Sequence, residues 1–503
     1  MRRKNGAFVL FFALLGLSFS LTACSKEDAG NGENYYTWEP VTYSWEEAAL
    51  YEAEDGELIG ETRVSSNGET TYVENFAHAD EDMVTISFTV EESGFYDLGF
   101  VSSSGGSYKS NYVYIDGEMA GYIETECKDY ETSVVSYVYL EAGSHTATVI
   151  TYWGYIKLDS LLVKKADELN PYRFDVEPTL VNENASDNAK RVFTYLCDIY
   201  GEQMLTGQMC NQGMYGFENT SIYRVTGEYP AVLGLDMIEY SPSRVENGSI
   251  GHSVEAAQAY WDNGGIITMC WHWNAPSKYI TGEWYSAFYK ESTNINLDKI
   301  MNGEDPEGYE LLLSDIDAIA TEMKPLAEND VPLLWRPLHE ASGGWFWWGD
   351  CSAESYKKLY ILLYDKMTNE YGLNNLIWVW NGQDPEWYPG DEYVDIIGID
   401  IYPGKQVTSP QTNTFVELLS WTDSPKLITL SENGCVFDVD LAVRDQSMWL
   451  YWNTWEGEFV LKNNNFVGYA ETYTTEEVLK KAYESEYTIT RDELPDLKTY
   501  PLR

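Results

Sequence analysis

Two glutamates stand in matching frames. Glu340 lies in W-R-P-L-H-E-A-S-G-G-W-F-W-W-G (335–349) and Glu432 in L-I-T-L-S-E-N-G (427–434). Each follows a short β-rich run, at the point where a strand opens into a loop. Two strand-end carboxyls in an aromatic setting suit the cleavage of a glycosidic bond. One, protonated, delivers a proton to the leaving oxygen; the other, ionised, attacks or stabilises the sugar cation. Competing chemistries fail on their own residues. His339-Glu340 starts an H-E-x-x-H zinc motif, but position 343 is Gly343. No G-x-S-x-G, phosphate-binding loop or dinucleotide fingerprint is present. Of the five histidines, neither His78 nor His145 suggests a catalytic triad.

The carboxyls need a scaffold, and the chain is long enough for two domains at 503 residues. Hydrophobic content of 44% supports real cores, and 15% aromatic content, with 18 Trp and 40 Tyr, suits stacking on sugar rings as well as packing. The formal net charge of -49 repels phosphate backbones and disfavours anionic polysaccharides. Nucleic acid is therefore excluded as a partner, and a neutral glycan is the favoured one. A monomer is expected.

From about residue 43 to 165 the pattern is β. Val84, Ile86, Phe88 and Val90 alternate with polar residues. Further strands read at 96–100, 112–115, 134–140, 144–150 and 158–163, separated by Glu92-Ser93-Gly94, Asp116-Gly117 and Ala142-Gly143. This predicts an all-β sandwich. A linker follows over 166–177. From 178 to 498 strands alternate with helical segments, one at 185–200. Eight strands are expected, at 204–207, 231–235, 266–269, 332–335, 376–380, 395–399, 426–430 and 466–469. This predicts a (β/α)₈ barrel, hence an α/β catalytic domain behind a β-sandwich. Glu340 then follows the fourth strand and Glu432 the seventh, at the barrel's C-terminal mouth.

The two glutamate frames resemble the signatures of glycoside hydrolase family 26, chiefly β-mannanases. Supporting stretches are Leu205-Thr206-Gly207-Gln208, P-A-V-L-G-L-D (230–236), G-G-I-I-T-M-C-W-H-W (264–273), Y-P-G-D-E-Y-V-D-I-I-G-I-D-I-Y (388–402) and I-T-R-D-E-L-P (489–495). The resemblance spans about 178–497. It implies a retaining double displacement with Glu340 as acid/base and Glu432 as nucleophile, and no catalytic cofactor. It also implies that His339 hydrogen-bonds at the cleavage subsite, that Trp345 stacks a sugar there, and that Tyr402 holds Glu432. His272 and Trp273 are expected to line the same subsite. From 448–455 a tryptophan, with Trp449 fitting best, walls the site. Arg336 supports the acidic pair by charge. For Phe346, Trp347 and Trp348, packing and sugar platform stand level. The expected activity is endo-1,4-β-mannanase on mannan, glucomannan or galactomannan. The family also holds β-glucanases, β-1,3-xylanases and mannobiose-releasing enzymes. A non-catalytic glycan-binding lipoprotein is the rival of another class.

Tyr51-Glu52-Ala53-Glu54 and L-D-S-L-L-V (158–163) resemble the first and last strands of carbohydrate-binding modules of families 6 and 35. That resemblance implies a structural Ca²⁺ held by Glu52, Glu54 and Asp159. Trp153 is the candidate ligand-stacking residue. At the start, Arg2, Arg3 and Lys4, an apolar 7–19 and Leu21-Thr22-Ala23-Cys24 read as a lipoprotein signal over 1–24 with Cys24 lipidated. A polar tether over 25–42 follows. The expectation is an exported bacterial lipoprotein at the outer membrane or cell surface, touching membrane through the lipid alone. The other six cysteines show no metal spacing.

Overall fold

The computed structural model describes residues 43–503 apart from Asp423, Asn464 and Asn465; Cys24 and the tether lie outside the described residues. Among the described residues no helix is long and apolar enough to cross a membrane.

The N-terminal sequence folds into two facing antiparallel sheets. One runs Arg63–Ser66, Thr71–Glu74, Lys157–Lys165, Gly94–Ser103, Glu131–Leu140, with Ala49–Glu52 also paired to Lys157–Lys165. The other runs Glu57–Ile59, Met83–Val90, Gly143–Thr151, Lys109–Ile115, Glu118–Thr125. The period-2 pattern explains the core. Val84, Ile86, Phe88 and Val90 all point inward and meet Leu98, Phe100, Val135 and Leu158 from the opposite sheet. The sequence-expected sandwich is therefore present, with extra strands at its edges.

The C-terminal part closes a barrel of eight parallel strands. In order they are Gly207–Met209, Val232–Asp236, Ile266–Trp271, Leu333–Pro337, Leu376–Trp380, Ile396–Ile401, Leu427–Asn433 and Trp452–Thr454. Most of their residues are buried on both faces, which is why they read as continuous apolar runs rather than alternating ones. Closure depends on Gly207. A Cβ there would sit 2.1 Å from the Trp452 carbonyl oxygen, so only glycine lets the first and eighth strands approach.

Two strands depart from the sequence expectation. Phe466–Tyr469 is not the eighth barrel strand; it pairs antiparallel with Leu461–Asn463 in a separate hairpin. The expected first strand is split: Met204–Leu205 pairs with Thr488–Ile489, and the barrel begins only at Gly207. The 166–177 linker is not a loose tether. Arg173 is 7% exposed, lies over the Phe174 ring at 4.4 Å, and donates to the Asn170 carbonyl and to Gln446 of the barrel. Asn413 Oδ1 accepts from both the amide and the hydroxyl of Ser136 across the same junction.

Candidate active site

The fourth strand ends in a strained turn. Leu338 and Glu340 both sit at φ 53°, in the left-handed region that non-glycine residues avoid, at a cost on the order of 1 kcal/mol each. Three hydrogen bonds hold them there. Tyr356 Oη donates to the Leu338 carbonyl, Trp348 Nε1 to the His339 carbonyl, and the Glu340 amide to the Asn381 carbonyl at 2.7 Å. The turn aims Glu340 at the barrel mouth. Trp345 Nε1 then donates to Glu340 Oε2 at 3.0 Å, and the ring remains 41% exposed. Gly343 makes room for it, since a Cβ there would meet the ring at 2.1 Å.

Glu432 arrives from the seventh strand. Ile399 pairs with Leu430 but Asp400 pairs with Glu432, so Ser431 is an extra residue that bulges the strand. The bulge brings Glu432 opposite Asp400. Arg336, on the fourth strand, donates to Asp400 Oδ2 at 2.9 Å and to Glu432 Oε1. Tyr402 Oη donates to Glu432 Oε2 at 2.6 Å. Asn381 Nδ2 donates to Asp400 Oδ1 at 2.7 Å. One oxygen from each of Glu340, Asp400 and Glu432 lies within 4.8 Å of the others.

The electrostatics separate the two glutamates. Burial, then the Asp400 and Glu432 charges, push Glu340 well above the usual carboxyl range. Burial and Asp400 raise Glu432 to about 7, while Arg336 and Tyr402 pull it back. Glu432 thus ionises first and Glu340 keeps its proton. The Arg336 guanidinium bridges Asp400 and Glu432 and supplies positive charge between them.

Behind this pair, His272 Nδ1 lies 2.7 Å from Asp236 Oδ2, and its Nε2 lies 3.2 Å from His339 Nε2. Burial opposes charge on His272, but Asp236 outweighs it and holds the ring above its usual value. Burial and the Arg336 and His272 charges push His339 far below its own, so it is neutral.

Residues 181–493 match the model of glycosyl hydrolase family 26. The chain belongs to that family. It is a glycoside hydrolase, and residues 49–166 match the family 35 carbohydrate binding module. A mannan endo-1,4-beta-mannosidase of Thermothelomyces thermophilus is 36% identical over 454 residues, covering 89% of this chain and 90% of that one. A mannan endo-1,4-beta-mannosidase B of Piromyces sp is 35% identical, covering 88% and 77%. The crystal structure of a Podospora anserina GH26-CBM35 beta-(1,4)-mannanase superposes with a TM-score of 0.62 at 33% identity, covering 90% of this chain and 99% of that one.

The family-26 barrel brings together Glu340, Glu432, Arg336, Tyr402, Trp345 and His272 of the residues expected from sequence. It corrects three others. Trp273 does not line the mouth: it is fully buried, stacked on Trp271 at 4.2 Å, and donates to Asp315. Trp449 does not wall the site: it is fully buried, donating to the Pro410 carbonyl and packing edge-on against Phe415. His339 is 1% exposed beneath Phe346 and Trp348, so it meets the cleft through His272. Phe346, Trp347 and Trp348 are packing residues at 4%, 1% and 0% exposure.

Three site residues, Asp400, Asp236 and Tyr289, escape sequence reading; a fourth, Trp455, falls within the 448–455 stretch expected to supply a tryptophan. Asp400 is the penultimate residue of the sixth strand and Asp236 ends the second. Trp455 follows the eighth strand, its ring 5.9 Å from His272 and its amide bonded to the Asn433 carbonyl. Tyr289 stacks on Phe346 and stays 42% exposed, close enough for the Glu340 charge to raise it beyond what burial does. The signal for Asp400 was available: in I-D-I-Y it shares a face with Tyr402 by the two-residue strand period.

In the binding-module domain Trp153 is 62% exposed beside exposed Tyr152 and Tyr155, on a loop anchored by the Trp153 amide to the Ser110 carbonyl at 2.7 Å. Glu52 pairs in register with Ser160, which sets it beside Asp159.

Proposed function

We propose that this protein is an endo-acting 1,4-β-mannanase working with retention. The observation that carries the mechanism is the approach of Glu340 and Glu432 oxygens to within 4.8 Å. So close an approach of two oxygens supports the short carboxyl separation of a retaining enzyme, about 5–5.5 Å, over the wider spacing of an inverting one. The substrate class is supported by relatives named mannan endo-1,4-beta-mannosidase that align over most of the chain.

Glu340, protonated, gives its proton to the glycosidic oxygen as the bond to the anomeric carbon breaks. Ionised Glu432 attacks that carbon from the opposite face and forms a glycosyl ester. The ester carries no charge, so the acidity of Glu340 rises, and its carboxylate next takes a proton from water. Water's oxygen displaces Glu432 and the sugar leaves with its original configuration. Arg336 and Tyr402 stabilise the Glu432 carboxylate before attack and after release. Trp345 offers an aromatic face beside the acid for the sugar being expelled.

Tyr402→Phe removes the hydroxyl that stabilises ionised Glu432. Its kcat/KM is expected to fall about 10–100-fold, the worth of a hydrogen bond to a charged group. The sign for pH follows. Glu432 loses a group that lowers its pKa, so the acid limb of kcat/KM moves to higher pH. A profile with an unmoved acid limb argues against this role for Tyr402.

Substrate choice is tested by products. Linear mannan, galactomannan, lichenan and β-1,3-xylan are incubated with protein lacking residues 1–24. Mixed manno-oligosaccharides with a rapid fall in viscosity are expected. Mannobiose alone points to exo-action, cleavage of lichenan or xylan alone replaces the substrate, and no cleavage of any of them contradicts the enzymatic reading.

In the module, Trp153 is the proposed ligand platform for the same neutral glycan. Glu52, Glu54 and Asp159 fit a structural Ca²⁺. Glu54 Oε2 is buried without a hydrogen-bond partner, and Glu52 is raised by burial and then by the Glu54 and Asp159 charges. A hard cation between these carboxylates would relieve their mutual repulsion and partner Glu54 Oε2. Chelation is expected to lower the melting temperature of the module by about 10 °C, the effect of losing a ligand held well above its Kd. An unchanged melt in excess chelator contradicts the site. Lipidation at Cys24 places the protein on the exported membrane surface in this reading; globomycin-sensitive labelling with a fatty-acid analogue tests it.

A further inference from the structure

Behind the two glutamates lies a buried chain of titratable groups that the mechanism has not used. Asp236 ends the second strand, His272 follows the third, and His339 follows the fourth. Asp236 is fixed from several directions. Its Oδ1 accepts the amides of Ile238 and His272, its Oδ2 faces His272 Nδ1, and its own amide donates to Asn211. A carboxylate only accepts, so His272 Nδ1 carries a proton. Two ring nitrogens 3.2 Å apart are hydrogen-bonded only if one of them is protonated, so a single proton lies between His272 and His339.

We propose that Asp236 is a positioning residue for hydrolysis, holding His272 as the one charged ring of this histidine pair, beside the nucleophile Glu432. His339 is the neutral acceptor of the His272 Nε2–H. The placement of the charge follows from the surroundings. The groups acting on the pair are Asp236 and Cys270, whose Oδ2 and Sγ lie 2.7 and 4.0 Å from His272 Nδ1, together with Arg336 and Glu432, while Glu456 interacts with Asp236. Arg336 opposes a charge on either ring, but of the two rings Asp236 contacts only His272, which therefore carries it. The His272 charge in turn favours ionised Glu432. Asp236 thus acts on the nucleophile through His272 and touches no substrate itself. His272, 8% exposed among Trp455, Phe288 and Phe346, is the part of the chain that reaches the cleft.

This inference rests on Glu432 being the nucleophile, and its test separates the two. A two-bond ¹H–¹⁵N spectrum of the five histidines is recorded on the full chain without substrate. At about pH 6 His272 is expected to show two protonated nitrogens and His339 a neutral ring. A neutral His272 or a charged His339 overturns the proposal, and no variant is needed for that reading. In Asp236→Asn, kcat/KM is expected to fall about 10–100-fold, as for other residues that orient a functional histidine. The acid limb is expected to move to higher pH, because Glu432 loses a neighbouring positive charge. An equal loss at every pH, with the limb unmoved, reduces Asp236 to a structural role and overturns the proposal. Full activity in Glu432→Ala would instead strike at the nucleophile assignment and leave the imidazole spectrum as it was.

Discussion

Glu432→Ala is expected to lower kcat on mannan by about five orders of magnitude, the scale of losing a catalytic nucleophile outright. The fold should survive. Glu432 is buried, yet it sits on a bulge at the barrel mouth rather than in the apolar layers, and Arg336 keeps Asp400 as a partner. The variant also leaves a gap beside the anomeric carbon. A small anion such as azide fits that gap and attacks from the face Glu432 used. With an activated aryl mannoside, whose leaving group needs little acid assistance, azide is expected to restore turnover. The product is then the azide of inverted configuration, because one displacement has replaced two. Rescue with retained configuration, or none with any small nucleophile, counts against Glu432.

Glu340→Gln has the second largest effect, and its signature is selective. The amide preserves shape and the Trp345 contact but carries no proton to give. On mannan, a poor leaving group, kcat is expected to fall about 10³–10⁴-fold, within the usual range for general acid catalysis. On a dinitrophenyl glycoside the first displacement needs no proton, so the loss there is confined to the second step. The expected kinetics are a burst of phenol followed by slow hydrolysis as the glycosyl ester accumulates. Equal losses on both substrates, without a burst, contradict the acid/base assignment. The alkaline limb of the wild-type profile should vanish in this variant, because ionisation of Glu340 produces that limb.

Much of this site was legible before any coordinates. The glutamates, Arg336 and Tyr402 sit on or at the ends of long apolar strands, and counting strands places them at one mouth. What failed were residues whose direction depends on alternation or on a correct strand count. His272 and Trp273 are neighbours on extended chain, so their side chains leave on opposite faces; His272 took the cleft and Trp273 the helix layer against Asp315. Trp449 fails because a tryptophan reaches the site only from just past the eighth strand, and that strand is not the apolar run expected at 466–469. The true strand, Trp452–Thr454, has three residues and is defined by its neighbours Gln208, Leu430 and Asn433 rather than by its own pattern. Once it is known, Trp455 is the residue at its end. The Ser431 bulge and the left-handed Leu338 and Glu340 were also hidden. Both arise from tertiary bonds that local propensity does not encode.

The central claim is that Glu432 becomes covalently bonded to the sugar while Glu340 serves it. A 2-deoxy-2-fluoro mannosyl donor with a good leaving group slows both steps, the second more, and so traps the ester. Mass spectrometry of the intact protein followed by peptide mapping reads the result. A single added fluorosugar on the peptide that contains Glu432, with loss of activity that returns on transglycosylation, is the predicted outcome. Label on the peptide containing Glu340, or turnover of the donor with no covalent adduct, would contradict the account.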